Sequence, residues 1–280
     1  MSLTVFLIVV GAALIHATWN FLEKEVHGNP AVLAIGAATG AILLVPLALY
    51  MGTDVAEIRA GAPFFLLTGM IHALYYLALG RAYRRGEITV VFPLARGAGV
   101  AGTALVAASL LGESLTLFGS MGIICISAGA ILVGFASHSH RRLPGVRSAL
   151  LVAITVVAYT ITDKLAVDVI NPAAYAVGLF GTAATLLMPY LLIRHRDVIS
   201  TAWKEYRPFC FGVGIGQVGV YVVILFVYQI AQVSYVAAVR EMSVVFAAVL
   251  GFMFLKEKLT LKKSIGIAVI ALGLVLVKIA

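Results

Sequence analysis

Apolar residues in this chain do not alternate as in a half-buried strand, nor do they recur on one face of a surface helix. They run nearly unbroken for about twenty residues at a time, separated by short clusters of glycine, proline, asparagine and basic residues. A helix needs roughly 20 such residues to cross about 30 Å of hydrocarbon at 1.5 Å per residue. Ten segments meet that length: 3–22, 31–51, 62–82, 88–111, 116–136, 146–163, 172–193, 209–230, 233–255 and 260–279. The connections are short, the longest running about fifteen residues from Arg194 to Pro208, so no soluble domain is expected. The first segment lacks a basic lead-in and a convincing cleavage site, and is expected to be a retained helix rather than a signal peptide.

The punctuation between these runs occurs twice. Pro30, Pro46 and Pro63 recur as Pro172, Pro189 and Pro208, and Arg96 with Glu113-Ser-Leu-Thr recurs 144 residues later as Arg240 with Glu257-Lys-Leu-Thr. Five spans per half is an odd number, so two consecutive homologous halves must lie in opposite orientations across the membrane. The expected fold is therefore an all-α membrane protein of ten transmembrane helices, arranged as two inverted five-helix repeats over 1–138 and 145–280. The junction, Ser137 to Arg147, carries His138 and His140; it reads as an interspan linker or, with a third ligand, a metal site, but none stands nearby.

Composition fixes the solvent. With 62% hydrophobic and 11% charged residues and a mean hydropathy of +1.07, the chain falls far from the roughly 25% charged residues of soluble domains. The net charge of +8 resides in short loops, so it speaks for membrane orientation and not for nucleic-acid binding. Loops after odd-numbered spans hold fifteen Lys and Arg residues, and the other side holds three, Arg59, Lys164 and Lys278. By the positive-inside rule this count places the protein in a cytoplasmic (inner) membrane with both termini outside. Cys125 and Cys210 lie in apolar runs without metal-ligand spacing and read as buried thiols.

Against this background, buried polar residues stand out, because an ionised side chain at mid-bilayer costs at least about 2.5–3.5 kcal/mol. Arg96 and Arg240 lie eight to nine residues into spans four and nine, roughly 12 Å deep. Adjacent helical residues point about 100° apart, so Glu241 is expected to reach a helix other than Arg240's own side. Pro93, Gly97, Gly99 and Gly102 make span four either a broken, gating helix or a kinked one with glycines for close packing. His16, Trp19, Asn20 and Glu23 share a face of span one; His16 suits either proton coupling or a neutral bond to a neighbouring carbonyl. Span six offers Tyr159 and Asp163 in the matching place. His72, Tyr75, Tyr76 and Tyr83 of span three, and Gln217, Tyr221 and Tyr228 of span eight, either line a substrate path or serve as interface aromatics, a role assigned to Tyr83 and Tyr228. Glu113 and Glu257 mark helix exits followed by threonine N-caps. Gly122 and Gly129, matched by Gly266 and Gly273, and the run Gly212, Gly214 and Gly216 are spaced for close helix contact.

The chain resembles the drug/metabolite transporter superfamily, of the ten-span EamA type. The resemblance rests on His16-Ala-Thr-Trp-Asn-Phe, Pro93-Leu-Ala-Arg96-Gly, Leu110-Leu-Gly-Glu113-Ser-Leu-Thr, Val239-Arg240-Glu241-Met-Ser-Val-Val-Phe, Leu255-Lys-Glu257-Lys-Leu-Thr and the glycine-spaced last span. It implies a central cavity formed mostly by spans one, three, four, six, eight and nine, with spans five and ten as a peripheral pair. Four-span multidrug exporters, more distantly similar, carry a glutamate eight residues before a lysine. Here His16 stands eight residues before Lys24 in its place, and the arginines lean toward carboxylate or phosphate substrates. Family members usually keep both termini in the cytoplasm, against the fifteen-to-three count.

These features describe a secondary active transporter for a small zwitterionic or anionic metabolite, such as an amino acid or a phosphorylated or carboxylated compound. Arg96, Arg240, Tyr75, Tyr76, Tyr221, Trp19, Asn20, His72 and Gln217 are the candidate substrate-binding residues. His16, Glu241 and Asp163 are the candidates for a coupled proton, and Pro93, Gly97 and Gly99 for gating. The alternative is a flippase for a lipid or polyisoprenyl-phosphate-linked substrate. No cofactor, metal or nucleic-acid partner is expected; the partners are the substrate, membrane lipid and a coupling ion, in a monomer or homodimer. No aspartate-rich metal motif, His-Glu-x-x-His or serine elbow occurs, so no enzymatic activity is expected.

Overall fold

The computed structural model describes residues 1–26, 29–85, 88–136, 146–255 and 260–280, with backbone alone for 20–25, 83–85, 88–92, 213 and 255. Twelve helices and no strands are found among the described residues: α1 (Leu3–Glu25), α2 (Pro30–Tyr50), α3 (Val55–Arg85), α4 (Ile88–Leu110), α5 (Leu117–Ala136), α6 (Val146–Val167), α7 (Pro172–Arg194), α8 (Arg196–Glu205), α9 (Arg207–Ile230), α10 (Val233–Arg240), α11 (Met242–Leu255) and α12 (Leu261–Ile279). Eight segments are long and apolar enough to cross a membrane, with α10 and α11 counted as one; Leu3–Trp19 is a shorter apolar stretch. α12 is 19 residues long and carries Lys262 and Lys263 in its first turn.

Local chemistry explains most boundaries. Asn29 and Asn171 each accept a hydrogen bond from the amide two residues on, at 2.9 and 2.8 Å, and each precedes a proline at the first helical position. A proline there loses no intrahelical bond and its ring presets φ. Thr116 and Thr260 cap α5 and α12 through Gly119 N and Lys263 N, as the Leu-Thr corners predict. Two expectations change. α3 begins at Val55, not at 62, because Asp54 accepts from Glu57 N at 2.7 Å and starts the helix ahead of Pro63, which becomes an interior residue. The connection from Arg194 to Pro208 holds α8, whose Ala202 is buried and whose Val198 carbonyl accepts from Asn29 Nδ2.

The burial pattern is inverted relative to a soluble domain. Buried positions are mostly Ala, Gly and Val, whereas Ile42, Leu105, Ile124, Ile154 and Ile193 are exposed at the perimeter. Between helices embedded in lipid, small residues let backbones approach, and large aliphatics lose nothing by facing acyl chains. The packing comes in matched pairs. α2 lies on α7 and α5 on α12; α3 packs on α6 and α7, while α9 packs on α1 and α2; α4 packs on α6, while α10 and α11 pack on α1. The first five helices thus find their main partners among the later ones.

Glycines make the tightest of these contacts. A Cβ on Gly122 would lie 2.7 Å from Gly273 O and one on Gly129 would lie 2.7 Å from Gly266 O, so the two repeated glycine pairs meet each other across α5 and α12. Gly214 meets Gly36 of α2 in the same way, a Cβ falling 2.6 Å from its carbonyl, whereas Gly212 has nothing within 4 Å.

Candidate substrate site

α4 runs unbroken through Pro93, and the break falls instead in the matching segment, where Glu241 interrupts α10 and α11 for one residue. The Glu241 amide bonds back three residues to Ala238 O at 3.0 Å, a tighter turn than the α-helix makes. Gly97 packs on the Ser127 carbonyl of α5, where a Cβ would lie 2.7 Å away and has no room, and Gly99 packs on Val156 of α6, where a Cβ would lie 3.2 Å from a side-chain methyl. These glycines hold α4 against its neighbours in this conformation.

The break aims Glu241 away from its sequence neighbour. Arg96 of α4 and Arg240 of α10 are both buried, and Arg96 Nη2 lies 2.6 Å from Glu241 Oε1. The contact is an ion pair by distance, and Arg96 Nε and both Glu241 oxygens have no aligned hydrogen-bond partner among the described residues. Arg240 Nη1 instead donates to the neutral hydroxyl of Tyr228 at 3.3 Å. Arg96, Arg240 and Glu241, together with Thr103 and Thr160, border a cavity of about 10 Å³ between α4, α6 and α10. That is room for about one water, so this conformation is closed around the arginines.

A second polar centre lies beside the first. Asp163 of α6 accepts hydrogen bonds from Thr68 Oγ1 at 3.0 Å, from Tyr175 Oη at 2.7 Å and from Tyr221 Oη. No cation pairs with it among the described residues; its neighbour Lys164 pairs with Asp168 at 3.0 Å. His72 Nδ1 sits 2.9 Å from the Thr68 carbonyl and 3.4 Å from the Thr68 hydroxyl. Around it stand Tyr159, Tyr221, Phe180, Tyr76 and Tyr75, with ring centroids 4.6 to 6.3 Å away. Gln217 Nε2 donates to Tyr76 Oη. Arg240 lies within electrostatic reach of Tyr159 and Tyr221, and His16 within reach of both arginines. His16 also packs edge-on to Trp19 at 5.0 Å, and the buried indole nitrogen of Trp19 has no hydrogen-bond partner among the described residues.

Most of the sequence-predicted residues therefore converge: His72, Tyr75, Tyr76, Gln217, Tyr221 and Asp163 in one cluster, and Arg96, Arg240 and Glu241 in the other. The side chain of Asn20 lies outside the described residues, as do those of Glu23 and Tyr83, and all of Glu257, His138 and His140. Tyr228 is a correction: it is 1% exposed and bonded to Arg240, not an interface aromatic. Its position seven residues after Tyr221 puts both on one helical face, which was the available signal. Thr68, four residues before His72, carried the same kind of signal; Tyr175, isolated in an apolar run, carried none. Glu113 reaches further than a helix exit requires. Its carboxylate accepts from Val233 N at 2.6 Å, Ser234 N at 3.1 Å and Ser234 Oγ at 2.5 Å, which caps the start of α10 from the far half of the chain.

Residues 143–279 match the model of the EamA-like transporter family. This stretch, just under half of the chain, is thus similar to a family of membrane transporters, and the match is consistent with the drug/metabolite transporter superfamily. A solved structure described only as the crystal structure of a protein superposes with a TM-score of 0.80 over 99% of this chain and 97% of the other, at 17% identity. That likeness extends the fold over the first half as well. No curated protein matches the sequence.

Proposed function

We propose that this chain is a secondary transporter that moves a small zwitterionic or anionic organic metabolite across the cytoplasmic membrane by alternating access. The observation that carries the reading is the meeting of Arg96 and Arg240, from matching positions of the two halves, with Glu241 around one small cavity. Buried guanidiniums are costly in lipid and suit a carboxylate or phosphate, which they can grip through paired donors. Tyr75, Tyr76 and Tyr221 would cover the body of the substrate, with Gln217, Trp19 and His72 as polar contacts. The matched packing of early on late helices supports two repeats, 1–138 and 145–280, rocking about their shared seam.

Of the three candidates for a coupled proton, Asp163 is the best placed. Its three partners are hydroxyls, which can each turn from donating to accepting, so the site serves a carboxylate or a carboxylic acid without moving the backbone. Glu241 is tied to Arg96, and His16 faces two cations. The count of fifteen basic residues against three supports both termini outside. The test is transport in proteoliposomes across a panel of amino acids and phosphorylated metabolites. Arg96→Gln and Arg240→Gln should each abolish transport of the active compound while the protein still elutes as a folded particle; full transport by both variants refutes the reading.

A further inference from the structure

The proposed reading places a negative group of the substrate on the two arginines, yet they are not equally available. Arg96 is taken by Glu241 at 2.6 Å, whereas among the described residues Arg240 makes its hydrogen bond to a neutral hydroxyl, at 3.3 Å. The repeat makes this asymmetry explicit: the residue after Arg96 is Gly97, and the residue after Arg240 is Glu241. One acid therefore serves a pair of matching arginines, and it neutralises the one from the opposite half. Beyond that one contact, neither of its carboxylate oxygens has a hydrogen-bond partner among the described residues, although buried carboxylates ordinarily accept several hydrogen bonds. It also stands in the one-residue interruption between α10 and α11, where local rewinding can redirect the side chain.

We infer that Glu241 is a tethered competitor for the substrate's anionic group: it occupies Arg96 in the closed state, and an incoming carboxylate or phosphate must displace it. The residue thereby sets how strongly anions are held and lets them be released, because its return to Arg96 expels the bound group. This inference rests on the reading of the arginine pair as an anion site, and the experiment separates the two. Purified protein in detergent is titrated with inorganic phosphate and with glycine, with choline as the cationic control, and ligand-induced thermal stabilisation is followed for wild type, Glu241→Gln, Glu241→Asp, Arg240→Gln and the double variant Arg96→Gln/Glu241→Gln.

Glu241→Gln frees Arg96 without changing side-chain shape, so the apparent affinity for the anionic probe should rise on the order of tenfold. The double variant should lose that gain. Glu241→Asp, one methylene shorter, should give a smaller rise of the same sign, and it carries the test if the glutamine variant does not melt cooperatively. Equal or weaker stabilisation in both Glu241 variants, with wild type responding and Arg240→Gln not, overturns the competitor while leaving the anion site standing. No stabilisation of any variant by phosphate or glycine overturns both.

Discussion

The seam between α5 and α12 makes a quantitative prediction. A methyl on Gly122 would sit 2.7 Å from Gly273 O, and one on Gly273 would sit 2.6 Å from Gly122 O. Both fall roughly 0.7 Å short of ordinary carbon–oxygen contact, on the steep wall of the potential. The obstacle is backbone, so the helices must separate, and overpacking of this kind costs about 1–3 kcal/mol. Better helix propensity returns up to about 1 kcal/mol when alanine replaces glycine. Gly122→Ala should therefore lose up to about 2 kcal/mol net, which is a fall of as much as roughly 4–8 °C in Tm for a chain of this size. Because Gly122 and Gly273 oppose each other, moving the helices apart for one methyl makes room for the second. The double variant should thus cost less than the sum of the singles by about 1 kcal/mol. Gly11, Gly181 and Gly219 have nothing within 4 Å of a built Cβ, so alanine at these helical sites should be neutral or slightly stabilising. The assay is thermal unfolding by intrinsic fluorescence in one detergent at one concentration. Equal shifts for Gly122→Ala and Gly181→Ala, or strict additivity of the opposed pair, would refute the argument from close approach.

Two further outcomes follow from the polar contacts. Glu113→Gln leaves one acceptor oxygen where two serve three donors at the start of α10, so stability should fall by about 1–3 kcal/mol in the same unfolding assay. A loss below experimental error would show that water caps α10 equally well. Asp163→Asn keeps the volume but introduces an amide group that faces three hydroxyls; transport of the active compound should stop responding to an imposed pH gradient while the protein stays folded, and an unchanged response would remove Asp163 as the coupled group.

Much of this architecture could be read from the chain, and the reason is local. Asn-Pro before a long apolar run specifies a capped helix start wherever it occurs, and two glycines seven residues apart repeat the same face after two turns, so the seam was visible before its partner was known. Buried arginines announce themselves by cost alone. What remained hidden depends on tertiary placement. Tyr175 and Tyr228 are aromatic residues in apolar helices, and only the neighbouring helices decide whether such a ring faces lipid or a carboxylate. Glu113 carries a helix-end motif, but its three donors lie about 120 residues away, and nothing local distinguishes an acid that caps its own corner from one that caps a distant helix. α8 is too short to register as an apolar run, and its only local sign is that Val198, Ile199 and Ala202 are spaced along one face of a single amphipathic stretch.

The exchange of packing partners between early and late helices bears on how the protein is made. Arg96 leaves the ribosome about 145 residues before Glu241, which at roughly 5–20 residues per second is about 7–30 s. Through that interval the nascent first half holds an unmatched guanidinium within an apolar span. Its polar faces must be kept from lipid by the insertion machinery, and a truncated product ending near residue 138 would be a ready substrate for membrane quality control.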